Sequence, residues 1–334
     1  MQSLAVIYRP KKWSDVVEQG ATKDILQSQL DSGNIKGAYC FVGAAGTGKT
    51  TCARIFANEI NKGKGNPIEI DAASNNGVDD VREITKMAQT RSMDSEYKVF
   101  IIDECHLFSA GAWGAMLKLI EEPPAKCVFI LCTTDYWKIP RTIQSRTQRF
   151  EFKRISTSGI MDRLSDVLAT ENISQPDSGM DAIEFIAKQA DGCMRDGLTM
   201  LDKCLAYSED LTFDNVVKAL GLVSYEVFVK LTYAIFNNED DKIIEIIENV
   251  YSDGVDIKQF VKQYMSFVLD TAKYRICGSF KYTQLPATKE LESAITDWST
   301  EDMLWLTDKL VHIDSSIKYS QAPKQYIEAQ FLVG

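Results

Sequence analysis

The eight cysteines of this 334-residue chain include no C-x2-C pair. Structural zinc is held by ligands in close pairs, so the spacing excludes a zinc ribbon or finger. Cys127 and Cys132 flank the apolar run VFIL. Their odd separation sends them to opposite faces of a strand, and buried, reduced thiols are expected. Long apolar runs are also absent. Nothing approaches the roughly 20 residues that a membrane helix needs. The N-terminal MQSLAVIYRPKKW has no basic stretch followed by a long apolar core, so no secretory signal is expected. These absences predict a cytoplasmic protein with no membrane contact. Positive charge is in deficit, with 37 Lys and Arg against 47 Asp and Glu and a net charge of −10. That balance excludes a protein that coats nucleic acid by bulk attraction. There is no internal repeat, no low-complexity tail, and no carboxylate set of the kind that transfers nucleotidyl groups.

What is present is the composition of a globular protein, 45% hydrophobic and 25% charged, long enough for two or three domains. The charge is uneven. Residues 1–154 carry 21 basic and 18 acidic side chains, and the remainder carries 16 and 29. Contacts with phosphates therefore belong in the first part, while the acidic remainder suits a solubilising or partner-binding role. Short apolar runs at 38–42, 68–71, 99–103 and 128–133 alternate with helical stretches starting near Gly48, Asp79 and Ala110. This is the pattern of an α/β domain with a mostly parallel sheet. From about Ser156 the strand signals fade. Helices over 157–171, 178–190 and 194–207 suggest a small all-α unit ending near Leu222. A longer helical unit over 224–334 includes YEVFVKLTYAIF and DIKQFVKQYMSFVLDTAKYRI. The expected division is 1–155, 156–222 and 223–334.

The strongest local signal is GAAGTGKT at 43–50, which follows the apolar run AYCFV and opens a helix. It matches the phosphate loop G-x4-G-K-[ST], in which glycines let consecutive backbone N–H groups point at a phosphate. The binding segment is then Gly43, Ala44, Ala45, Gly46, Thr47, Gly48, Lys49, Thr50 and Thr51, with Lys49 reaching the outer phosphates and Thr50 on Mg²⁺. KVFIIDE at 98–104 supplies the second half. Asp103 ends a buried strand beside the metal, and Glu104 is placed to polarise the attacking water. Cys105 and His106 are adjacent and cannot both aim at one ion, so a core thiol and a hydrogen-bonded imidazole are expected. The run CVFILCTTD delivers Thr133 and Thr134 to the sheet's C-terminal edge, where ligands of such sheets bind. Arg146 lies in the loop QSRTQRF, and Arg195 in GCMRDG at the start of a later helix.

Together these segments resemble the clamp-loader ATPases of the AAA+ class. YRPKKWSDVVEQG, GAAGTGKTTCARIFA, IEIDAASNNGVDDVREI, KVFIIDECHLFSAGAWGAMLKLIEEPP, FILCTTDYWKIPRTIQSRTQRFEF and GCMRDGLTMLDK occur in the family's order. The chain is most similar to the gamma/tau subunit of bacterial DNA polymerase III over about 220 residues; beyond these, the likeness is one of position and helicity. The resemblance implies a P-loop AAA+ domain, a small all-α lid and an all-α collar, with five subunits in a spiral. It also implies a sliding clamp, primer–template DNA and other loader subunits as partners. Tyr8, Arg9 and Pro10 match the adenine-side segment, Thr134 the first sensor and Arg195 the second. Arg146 matches the finger that completes a neighbour's site. Arg82, Lys118 and Lys138 stand where the family follows duplex phosphates, contacts that carry no sequence information.

There are departures from the family. The bacterial four-cysteine zinc module is replaced by NKGKGNP, so zinc is not expected. Thr147 stands where a cysteine usually follows Ser-Arg. The sequence stops after the collar, as in the family's short form. The expected activity is ATP hydrolysis with Mg²⁺ that loads a clamp onto primed DNA. One alternative is another AAA+ DNA motor, such as a branch-migration helicase, which calls for a winged-helix domain and a hexamer; the helical, acidic C-terminal part disfavours it. The other is a loader subunit that binds nucleotide without turnover, against which Lys49, Glu104 and Arg195 stand.

Overall fold

The computed structural model describes residues 2–173, 179–285 and 288–332. The expected helix start at 178 and the last two residues of the expected C-terminal unit lie outside the described residues. The chain forms two compact units, Met1–Val167 with Ala190–Thr199, and Leu168–Gln189 with Met200–Gly334.

The first unit opens with α1 (Leu4–Ile7) and α2 (Gly20–Ser32). Alternation then runs through β1 (Ala38–Gly43), α3 (Lys49–Ile60), β2 (Ile68–Asp71), α4 (Val78–Gln89), β3 (Lys98–Asp103), α5 (Ala110–Glu121), β4 (Cys127–Thr133), α6 (Arg141–Gln144) and β5 (Gln148–Phe152). The strands are parallel in the order β2-β3-β4-β1-β5. The central strands are apolar on both faces because helices cover both. Cys40 on β1, Phe100 on β3, and Cys127 and Phe129 on β4 face Val81 and Ile84 of α4 and Met116 of α5. Tyr39, Phe41, Ile101, Ile130 and Cys132 face Cys52, Ile55 and Phe56 of α3 on the other side. Cys127 and Cys132 therefore do sit on opposite faces.

The four expected strands and three expected helices are present, with ends shifted by a residue or less. The fifth strand occupies a stretch where the sequence suggests the domain's last loop. QRFEF carries only two apolar residues, Phe150 and Phe152, both buried, alternating with exposed Arg149 and Glu151. An edge strand pairs on one side only, here with β1, so a half-apolar sequence is enough.

Helices α7 (Thr157–Thr170), α8 (Gly179–Gln189), α9 (Met194–Tyr207) and α10 (Phe213–Leu220) follow, then α11 (Tyr225–Phe236), α12 (Asp240–Ser252), α13 (Ile257–Cys277), α14 (Lys289–Ile295), α15 (Thr300–Ile317) and α16 (Pro323–Leu332). The second unit's core is built on α13. Phe260, Tyr264 and Phe267 from α13 pack with Phe228 of α11, ring centroids 5.5–6.5 Å apart. The Tyr264 hydroxyl reaches Thr232 Oγ1 at 2.9 Å, so the buried polar group is satisfied. Helices α13 and α15 start on side-chain caps: Asp256 accepts from Gln259 N at 2.8 Å, and Ser299 accepts from Asp302 N at 3.0 Å. All eight thiols are free, and seven are buried. Cys277 is the correction to the expected burial. It closes α13 immediately before Gly278, whose φ of +62° ends the helix at the surface. Among the described residues no single helix is long and apolar enough to cross a membrane.

Candidate active site

The site is assembled where β1 and β3 end and α3 begins. Gly46 and Gly48 adopt φ of +65° and +101°, a region that favours glycine. Gly46 has a second constraint, because a Cβ there would lie 2.0 Å from Cys193 Sγ. Met194 N donates to Gly46 O at 3.2 Å, so GCMR is tied to the loop's backbone. Lys49 is only 5% exposed, and its Nζ donates to Gly43 O and Ala44 O at 2.9 and 2.8 Å. Burial lowers its pKa, opposed chiefly by Glu104 and with Arg195 pushing the same way as burial. The ammonium is thus desolvated and held in place, an arrangement that favours an anionic ligand.

At the end of β3, Asp103 Oδ2 accepts from Thr50 Oγ1 at 2.8 Å, and Oδ1 accepts from Glu104 N at 3.0 Å. An adjoining hydroxyl and carboxylate offer oxygen ligands to a hard cation, so Thr50 and Asp103 fit Mg²⁺. Among the described residues no group of three or more His, Cys, Asp or Glu forms a metal cage. One or two protein ligands suit a cation that shares its coordination with phosphates. Glu104 has φ of +46°, and its Oε2 accepts from Thr134 Oγ1 at 3.0 Å. His106 Nδ1 stands 3.2 Å from the same Oε2 and 3.1 Å from Thr133 Oγ1. A carboxylate cannot donate, so this contact is attractive when Nδ1 carries its proton. Cys105 is fully buried, and His106 is hydrogen-bonded as expected.

Lys49, Thr50, Asp103 and Glu104 line one pocket, whose empty volume, mouth included, is about 920 Å³, and Thr134 lies behind Glu104 outside the lining. Its polar end holds Ala45, Gly46, Thr47, Gly48, Lys49, Thr50, Thr51, Asp103 and Glu104; Gly43 and Ala44 contribute carbonyls to Lys49 from behind. Its apolar end holds Tyr8, Pro10, Val16, Val17 and Ile155, with Arg9 beside them. Arg195, Met194 and Leu198 close one side. Arg163 of α7 also lines the pocket and is not among the sequence candidates. Its Nη2 donates to Tyr8 O at 2.9 Å, and its guanidinium lies 5.9 Å from the Tyr8 ring centroid. Nothing local separates it from any other arginine on an amphipathic helix; only the fold brings it to Tyr8. The Glu104–His106–Thr133 contacts were likewise out of reach, since Glu104 and Thr133 belong to different strand ends.

Other sequence candidates lie outside this pocket. Arg146 is exposed, with Nη2 2.7 Å from Glu121 Oε1 and Nη1 donating to Thr142 O at 2.9 Å. Arg82 pairs with Asp79 at 2.7 Å and Lys138 with Asp135 at 3.2 Å, both on the surface. Lys118 is exposed on α5.

Known proteins carry the same pieces. Residues 66–156 match the family described as DNA polymerase III, delta subunit, and residues 159–210 match the DNA polymerase III clamp loader subunit, ATPase lid domain. DNA polymerase III subunit tau of Bacillus subtilis is 34% identical over 98% of this chain and 62% of its own length. The gamma/tau subunit of Mycoplasma pneumoniae is also 34% identical, over 80% of this chain and 42% of its own. The chain thus spans about three-fifths of the first relative and two-fifths of the second. Among solved structures, the Thermotoga maritima RuvB Holliday junction branch migration motor has a TM-score of 0.54 at 17% identity, covering 79% of this chain and 91% of that one. That likeness concerns the fold alone. Sheet order, phosphate loop, lid match and relatives agree: the chain resembles the clamp-loader ATPase subunits of bacterial DNA polymerase III, the gamma/tau subunit among them.

Proposed function

We propose that the chain hydrolyses ATP as one subunit of a cytoplasmic clamp loader that opens a ring-shaped clamp and closes it on primed DNA. The observation that carries the reading is the joining of Lys49, the Thr50–Asp103 pair, the Glu104–Thr134 pair and Arg195 around one pocket. The adenine sits at the apolar end beside Tyr8, Arg9 and Pro10, and the phosphates lie on the N–H groups of 45–51. Held by Thr50 and Asp103, Mg²⁺ would offset phosphate charge. Lys49 neutralises the outer phosphates, and Glu104 takes the proton of the attacking water. Thr134 fixes one oxygen of that base, and Arg195 adds positive charge on the opposite side. Phosphoryl transfer needs further positive charge on the transition state, and arginine fingers supply it in trans in other nucleotide hydrolases. Arg146, exposed and outside its own chain's pocket, is suited to that role toward a neighbouring subunit. Arg82, Lys118 and Lys138 contact the duplex backbone without reading its sequence. The functional parts divide at 1–155, 156–222 and 223–334, with the last assembling a five-subunit spiral.

The test is a steady-state ATPase assay of the assembled complex, with and without clamp and primer–template. The expected result is stimulation by both ligands and, for Glu104→Gln, loss of turnover by a factor of about 10² or more with nucleotide binding retained. Equal, slow turnover of wild type and variant under all conditions would defeat the reading. A branch-migration motor would share this fold; native mass spectrometry separates a five-subunit spiral from a hexamer.

A further inference from the structure

The loop between β4 and α6 contains a side chain that the proposed chemistry does not use. Trp137 is 85% exposed, in the 3-10 turn Tyr136–Lys138. The turn itself is pinned. Gln144 Nε2 donates to Tyr136 O at 3.1 Å and to Ile139 O at 2.8 Å, and Ile139 and Ile143 are buried beneath it. Tyr136 is directed inward against the core, with the Arg149 guanidinium 4.4 Å from its ring centroid. Its ring meets that of Trp137 edge-on at 6.0 Å. The indole is therefore held out from a rigid base and not left loose on a mobile loop, so little ordering remains to be done on binding.

The surroundings of Trp137 decide between partners. Lys138 and Arg141 are exposed beside it, and among the described residues Arg141 shows no ion pair. The one nearby carboxylate in the turn, Asp135, is already paired with Lys138 at 3.2 Å. An exposed indole followed in sequence by the exposed cations Lys138 and Arg141 is a poor match to an apolar protein patch. It is a good match to a polyanion that also offers flat π faces, which is the chemistry of unpaired nucleotides. We propose that Trp137 is a stacking platform for an unpaired base of primer–template DNA, with Lys138 and Arg141 on the adjoining phosphates. This deepens the DNA-loading reading and rests on it. Stacking tolerates any base, so it selects a junction between paired and unpaired DNA without reading sequence.

The experiment uses the assembled full chain with a non-hydrolysable ATP analogue and two probes: primer–template with a single-stranded template overhang, and blunt duplex of equal length. Tryptophan fluorescence should be quenched by the overhang probe, and the quenching should vanish in Trp137→Ala. Trp137→Ala should weaken overhang binding about five- to a hundredfold while changing blunt-duplex binding less than about twofold. Trp137→Phe should recover most of the loss. Lys138→Ala should weaken both probes and flatten the salt dependence, by about one unit of logarithmic slope. Basal ATPase of Trp137→Ala should equal that of wild type, which excludes misfolding as the cause. Equal losses on both probes, or no loss on either, overturns the stacking role while wild-type DNA binding leaves the loader reading standing. Quenching on adding clamp or on assembly without DNA would make Trp137 a protein contact and also overturn the proposal. Failure of wild type to bind either probe would instead sink the DNA-loading reading on which it rests.

Discussion

Gly46 occupies a position where even a methyl group does not fit. Its φ of +65° disfavours any L side chain, and a Cβ would lie 2.0 Å from Cys193 Sγ. Gly46→Ala should therefore cost about 1–3 kcal/mol and lower the thermal midpoint of the first unit. Cys193→Ala removes the sulfur and leaves a Cβ at 3.3 Å. The double variant should regain the steric part of the loss and not the backbone part, as read from denaturation curves of the four proteins. Glu104 is a different kind of constrained residue. It adopts φ of +46° without being glycine, while Thr134 and His106 bracket its Oε2. Strained backbone at a candidate base is tolerated because the surrounding contacts over-determine its position.

Strand β1 and helix α3 bury three groups that titrate late. Burial pushes the thiols of Cys40 and Cys52 and the phenol of Tyr39 up to about 12, with Arg149 opposing the shift at Cys40. Below about pH 9 these groups are protonated in both folded and unfolded chains, and their contribution to stability is intact. Between about 9 and 12 the unfolded chain ionises first, so it binds fewer protons than the folded one. Stability then falls by up to about 1.4 kcal/mol per pH unit for each group. The measurement is the urea midpoint from about pH 8 to pH 11. Its alkaline slope should be shallower in Cys52→Ala than in wild type, even though the cavity lowers absolute stability at every pH. An unchanged slope would mean that the thiol ionises without unfolding the β1–α3 layer.

The whole molecule gathers most of the proposed catalytic groups around one pocket and keeps one, Arg146, outside it. Arg146 is salt-bridged to Glu121 and absent from the lining of its own chain's pocket. On the proposed reading, specific ATPase activity should rise with protein concentration and reach a plateau once the complex forms. Mixing Arg146→Ala with Lys49→Ala chains in a complex where copies adjoin should restore part of the turnover that each lacks alone. That result follows because one variant keeps an intact pocket and the other an intact finger. Proportionality of rate to concentration throughout, with no complementation on mixing, would return the chemistry to the single chain.

Much of the site was legible in the sequence because its parts are local. The phosphate loop needs glycines and a lysine at fixed spacing, and the paired carboxylates must end an apolar strand; both requirements are written in consecutive residues. The three central strands, β1, β3 and β4, were equally plain, since layers on both faces make them continuously apolar. What only the tertiary structure decided depends on residues far apart in the chain. The edge strand β5 is too polar to announce itself and is recruited by the open side of β1. Arg163 reaches Tyr8 across 155 positions, and Cys193 meets Gly46 because α9 starts at the loop. Likewise, a tryptophan in the sequence reads as core material by default. Trp137 is exposed because a short turn, locked by Gln144, spends its one inward direction on Tyr136. Patterns within an element follow from chain periodicity; contacts between elements follow from how the layers close.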